Sequence, residues 1–107
     1  MQVYSLNVLE RLKLCSILPP EGSLVTLRMI RTLVSKLGLS AEEITRYEVV
    51  TVDAATGQVR WNEAGMVPVS IELEDAEIEL IKKQLKELDS KGKLTPDMIS
   101  ACEVFNL

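Results

Sequence analysis

The stretch Val34 to Arg46, reading VSKLGLSAEEITR, leaves the backbone few options. Val34 and Leu37 close an apolar helical pattern, and Gly38 stands at the position past its end. Ser40 is a capping residue, and Glu43, three positions later, completes a capping box that starts a new helix. The result is two helices joined by a tight turn, the grammar of a helix-turn-helix corner. Side-chain chemistry decides whether such a corner reads DNA. Its second helix would present Glu42 and Glu43, with Glu48 next, and each carboxylate near a phosphate repels it. The hairpin after it carries Asp53, Arg60 and Glu63 and is no more basic. DNA affinity depends on several Lys/Arg on one face, so the corner is read as architecture and nucleic acid is not the expected partner.

The flanking chain supports a mixed fold. Asn7 and Glu10 make a capping box for a first helix, which Pro19-Pro20 stops because each proline lacks an amide donor. Ser23 caps a second helix whose apolar residues are Leu24, Leu27, Ile30, Leu33, Val34 and Leu37, with Arg28 and Arg31 opposite. Then the period changes to two. Glu48–Asp53 and Gln58–Asn62 read as a hairpin around Gly57, and Val67, Val69, Ile71 and Leu73 as a third strand, with Pro68 near its start or at an edge. A long helix is expected from about Asp75 to Lys91. Its first turn is acidic and its second half basic, which suits the helix dipole, with Glu79–Lys83 and Glu87–Lys91 pairs along it. Gly92 ends it. Thr95 and Pro96 open a last helix with Met98, Ile99, Cys102 and Phe105 on its apolar face.

This pattern predicts an α+β fold in one domain spanning residues 1–107: three N-terminal helices with the helix-turn-helix-like corner, a small antiparallel sheet of two to three strands, and two C-terminal helices. A chain of 107 residues suffices for one core. No apolar run reaches the length of a membrane span, and no basic segment precedes a hydrophobic one, so cytoplasmic residence without membrane contact is expected.

Composition removes much catalytic chemistry. There is no histidine, so Ser-His and Cys-His nucleophile pairs and most zinc sites are absent. No metal, cofactor or enzymatic activity is expected. The two cysteines, Cys15 and Cys102, make no disulfide framework and read as inert buried thiols. The acidic run Glu72 to Glu79 is explained by its place at a helix N-terminus. Net charge is −4, but residues 1–47 hold six Lys/Arg against four Asp/Glu, and residues 48–107 six against twelve.

Two candidate surfaces remain. Arg28, Arg31, Lys36 and Arg46, with Trp61, are the candidate site for an anion or partner: a phosphorylated small ligand, a nucleotide or an acidic protein. Arg11 and Lys13 would widen that patch if the first two helices pack antiparallel. Trp61 itself reads either as a core anchor or as an interface residue. Ile78, Ile81, Leu85 and Leu88, spaced three, four and three apart, form a seam. Any part not needed to cover the sheet would be a homo-oligomer interface.

Several stretches taken together resemble a group of small phage and prophage proteins. They are Leu6-Asn7-Val8-Leu9-Glu10-Arg11-Leu12, Ile17-Leu18-Pro19-Pro20-Glu21-Gly22 and Thr26-Leu27, then Val59-Arg60-Trp61-Asn62, Ile71-Glu72, and Gly92-Lys93-Leu94-Thr95 before a helix ending in Phe105. The similarity spans nearly the whole chain. It departs near the end, where Ala101-Cys102 stand in place of the Tyr common in that pattern. The resemblance implies a phage-encoded protein acting inside a bacterial host. It brings no activity and no site residues. The expected function is therefore a non-enzymatic interaction protein that engages or inhibits a host component, with host takeover or anti-defence as its setting. The alternatives are a nucleotide-sequestering protein using Arg28, Arg31 and Trp61, and a winged-helix-like nucleic-acid binder.

Overall fold

The computed structural model describes residues 2–107 and is α+β. Strand β1 (Gln2–Leu6) leads into helix α1 (Val8–Ile17), then α2 (Leu24–Leu37) and the short α3 (Ala41–Arg46). The hairpin β2 (Val50–Asp53) and β3 (Gln58–Arg60) comes next, with a 3-10 turn at Glu63–Met66. Strand β4 (Val69–Leu73) then enters α4 (Asp75–Ser90). A 3-10 turn at Pro96–Met98 opens α5 (Ile99–Val104).

The strands form two separate two-stranded antiparallel sheets, β1–β4 and β2–β3, where one small sheet was expected. Strand β1 was not anticipated. It pairs Gln2 with Leu73 and Leu6 with Val69, so Tyr4, Leu6, Val69, Ile71 and Leu73 share the inward face. The Tyr4 ring stacks on Phe105 at 4.7 Å between centroids, which ties this sheet to α5. Pro68 precedes β4, where its missing N–H removes no ladder bond.

The core gathers Leu6, Leu14, Leu33, Leu37, Ile71, Leu73, Ile78, Ile81, Leu85, Ala101, Cys102 and Phe105. Three of these, Ile78, Ile81 and Leu85, belong to the seam expected to offer an interface between copies. They are buried within the chain's own core and are not free for that role; only Leu88 is half-exposed. Helices α1 and α2 pack against α4, whose Ile78, Ile81 and Leu85 join the common core.

Local chemistry sets the helix ends. Asn7 accepts from the Glu10 amide and Glu10 accepts from the Asn7 amide, both at 2.9 Å. Ser23 and Ser40 cap α2 and α3. Gly38 differs from expectation. It is not left-handed (φ −64°) but extended, and a Cβ there would lie 2.8 Å from the Val34 carbonyl oxygen. Its small size serves a close approach and not a positive φ. Helices α3, α4 and α5 end alike. In each, the residue past the cap has positive φ: Glu48 at 51°, Gly92 at 65° and Asn106 at 61°. The next amide then bonds back five residues, Val49 to Ile44, Lys93 to Leu88 and Leu107 to Cys102. Among the anticipated i,i+4 pairs, Glu87–Lys91 meets at 3.3 Å, whereas Glu79 and Lys83 form no ion pair.

Candidate functional site

The helical corner is held by a residue that looked like surface in the sequence. Arg11 on α1 is buried. Its Nε donates to the Leu37 carbonyl at 2.9 Å and its Nη2 to the Gly38 carbonyl at 2.7 Å, satisfying two acceptors at the end of α2. The same guanidinium grips Glu43 of α3 with two bonds, of 2.6 and 3.0 Å. Glu43 also accepts from the Ser40 amide. Hydrogen bonds from Arg11 hold the Glu43 carboxyl down at about 2, outweighing the opposing effect of its burial. One guanidinium thus locks three helices. A sequence signal for this existed: Val8, Arg11 and Cys15 lie on one helical stripe, and Arg11 occupies its middle.

The candidate cations do not form one patch. Lys36 turns toward α4 and donates to the buried Glu77 at 2.6 Å. Glu77 accepts as well from the Glu74 amide at the start of α4, so Lys36 neutralises a capping carboxylate. The Arg46 guanidinium lies 6.0 Å from the ring centroid of the buried Tyr47. Its carbonyl accepts from Asn62, which fastens the hairpin base to α3. Arg28 and Arg31 stand exposed on the outward face of α2 and enter no ion pair among the described residues. Arg11 and Lys13 do not widen this patch. Arg11 is buried, and Lys13 pairs with Asp97 at 2.8 Å, which with Thr95 lowers the Asp97 pKa.

Trp61 is half-buried. Its Nε1–H points to the Met66 sulfur at 3.2 Å, and its ring leaves room only for hydrogen at Gly65, where a Cβ would lie 2.6 Å from Trp61 Cδ1. The ring also lines a groove of about 800 Å³ between α1 and the hairpin, with Leu9, Leu12, Val59 and Gln58. Arg28 and Arg31 do not line it, so this groove does not bring together the three residues proposed to grip a nucleotide. Cys102 is buried as expected, whereas Cys15 is only half-buried; burial raises the pKa of both thiols.

Family models, curated proteins and solved structures offer this chain no match. The geometry therefore carries the functional reading.

The outward face of α2 stands apart from the rest of the surface. Leu24, Leu27, Arg31 and Val34 recur at intervals of three, four and three, flanked by Val25 and Arg28. All six are exposed, Leu24 at 63% and Val25 at 77%. Of the helix only Leu33 and Leu37 are fully inside. The sequence reading sets Leu24, Leu27 and Val34 in one apolar stripe with Leu33 and Leu37 and puts Arg28 and Arg31 opposite; in the structure these three share the exposed side with both arginines. This side stays outside because burying it would take Arg31 with it, and an unpaired guanidinium is costly to desolvate. A separate cleft of about 510 Å³ lies between α2 and α4, lined by Met29 of α2 and by Ala76, Glu79, Leu80, Lys82, Lys83 and Lys86 of α4; none of the six outward-face residues lines it. No described helix is long and apolar enough to cross a membrane, and no group of three or more His, Cys, Asp or Glu among the described residues could hold a metal ion.

Proposed function

We propose that this chain is a non-enzymatic binding protein, phage-encoded, that engages or inhibits a protein of the bacterial host in its cytoplasm. One observation carries the reading: the apolar and arginine-bearing outward face of α2. A contiguous exposed apolar patch on a small domain marks an interaction site, and arginine is enriched where protein surfaces meet. Leu24, Val25, Leu27 and Val34 would each contribute at most about 1.5–3 kcal/mol on full burial, and net affinity would be less after the entropy of association. A symmetric pairing of two α2 faces would set Arg28 and Arg31 against their own copies, so a different protein is the better occupant.

The test is capture from bacterial lysate on the immobilised chain, comparing native protein with Leu27→Asp and Val34→Asp. Both positions are exposed, so the fold tolerates the changes. One protein retained by the native chain and lost with either variant is the expected result. Ile99→Asp, exposed elsewhere, should retain it. Capture that ignores Leu27 and Val34 would reject this face as the site. Self-association is checked separately: a monomer in sedimentation at high micromolar concentration is expected, and a dimer lost with Leu27→Asp would put a second copy on this face in place of a different protein.

A further inference from the structure

The α2–α4 cleft gives the partner a chemical identity, one that rests on the reading of α2 as a protein-binding element. The two helices run antiparallel. Lys36 in the last turn of α2 meets Glu77 in the first turn of α4, while Met29, earlier in α2, shares the cleft with Lys83 and Lys86 in the second half of α4. The cleft has an apolar floor of Met29, Ala76 and Leu80. Its wall carries three ammonium groups, Lys82, Lys83 and Lys86, against one carboxylate, Glu79. None of the three lysines enters an ion pair among the described residues. On a helix, positions 79, 82, 83 and 86 share one face, so these charges act together.

The charge is set against the rest of the molecule. The chain has 12 Lys/Arg and 16 Asp/Glu. Setting aside Arg28, Arg31, Lys82, Lys83 and Lys86 leaves 7 against 16, a net charge of −9. Helix α4 also carries Asp75, Glu77, Glu79, Glu87 and Asp89, so the attraction for an acidic partner is local, to the cleft wall of Lys82, Lys83 and Lys86. A groove between two antiparallel helices with an apolar floor accepts the ridge of a third helix. We propose that the α2–α4 cleft is the docking groove for an acidic amphipathic helix of the partner protein. Its apolar side chains would rest on Met29 and Leu80, and its carboxylates would face Lys82, Lys83 and Lys86.

The experiment uses a zero-length carbodiimide crosslinker, which joins amines to carboxylates in contact, on the complex captured by the full chain. Mass spectrometry then locates the crosslinked residues. The expected result is crosslinking of Lys83 and Lys86 to Asp or Glu on one helix of the captured protein. The double variant Lys83→Glu/Lys86→Glu should lower capture at least tenfold while its melting temperature stays near that of the native chain. Capture abolished by Leu27→Asp but untouched by Lys83→Glu/Lys86→Glu would overturn the groove and leave the α2 reading standing. Crosslinks between two copies of this chain would assign the cleft to self-association and overturn the proposal. A rise in melting temperature with tripolyphosphate, lost in the double variant, would assign it to a phosphate ligand with the same consequence. No captured protein at all would overturn both readings.

Discussion

Leu24, Leu27, Arg31 and Val34 on α2 and Ile78, Ile81, Leu85 and Leu88 on α4 share the same three-four-three spacing, yet the first stripe faces out and the second lies mainly in the core. One position separates them: the third member is Arg31 in α2 and Leu85 in α4. Helix α2 has a second apolar face, centred on Leu33 and Leu37, that can be buried without a guanidinium, so the core takes that one. Periodicity finds a helix with an apolar side; it does not say which side when two compete. A cation at the centre of a stripe keeps that stripe outside only where the fold offers it no partner. Arg31 has none among the described residues and stays exposed, whereas Arg11, met by Glu43 and the Leu37 and Gly38 carbonyls, is buried.

The contrast can be broken most forcefully at the anchor of α2. Arg11→Ala would strip the donors from Glu43 and from the Leu37 and Gly38 carbonyls, and should destabilise the fold by about 3 kcal/mol in urea denaturation. Within the two stripes, Ile81→Ala should cost about 2–5 kcal/mol, because its side chain is fully buried, whereas Leu24→Ala should stay within about 0.5 kcal/mol. Equal losses from both would refute the assignment of inside and outside.

Acid tests the same anchor. The Glu43 carboxyl is depressed from 4.5 to about 2 in the folded chain, so its stabilisation is present above pH 4.5 and is lost as pH falls toward 2. Melting temperature should decline across that window, and Glu43→Gln should be less stable at neutral pH and flatter below 4.5. Two smaller effects complete the series. Glu48 ends α3 with φ 51°, a conformation that disfavours a side chain, so Glu48→Gly should raise stability by about 0.5–1 kcal/mol. Arg31→Leu, which would make the α2 stripe wholly apolar, should leave stability within about 0.5 kcal/mol and instead cause self-association visible in light scattering.

The features legible in the sequence are those the chain decides locally. The caps at Asn7, Ser23 and Ser40, the break at Pro19-Pro20 and the turn at Gly57 each need only neighbouring residues, and each is present. Those that escaped depend on distant partners. Strand β1 is defined by β4, more than sixty residues on, and five residues alone give no such signal. The Lys36–Glu77 pair spans 41 positions and the Arg11–Glu43 pair 32, so neither ion pair is visible in any local window. The candidate site fared accordingly. Arg28 and Arg31 remain on an open face, Lys36 is tied to Glu77, Arg46 is exposed beside Tyr47, and the helix dipole suits the unpaired lysines of α4 without revealing the cleft they line.

The pairing of β1 with β4 also places a condition on synthesis. Tyr4 and Leu6 leave the ribosome ahead of their partners Ile71 and Val69, which emerge some 65 residues later, roughly 3–13 s at ordinary elongation rates. Until then the first strand has an open edge and Phe105, which completes its inner face, does not yet exist. The first three helices can form in that interval from their own caps, but the core cannot close around them. Folding of the domain is thus deferred until its last helix is available, and the nascent chain spends that time with an apolar strand that needs shielding.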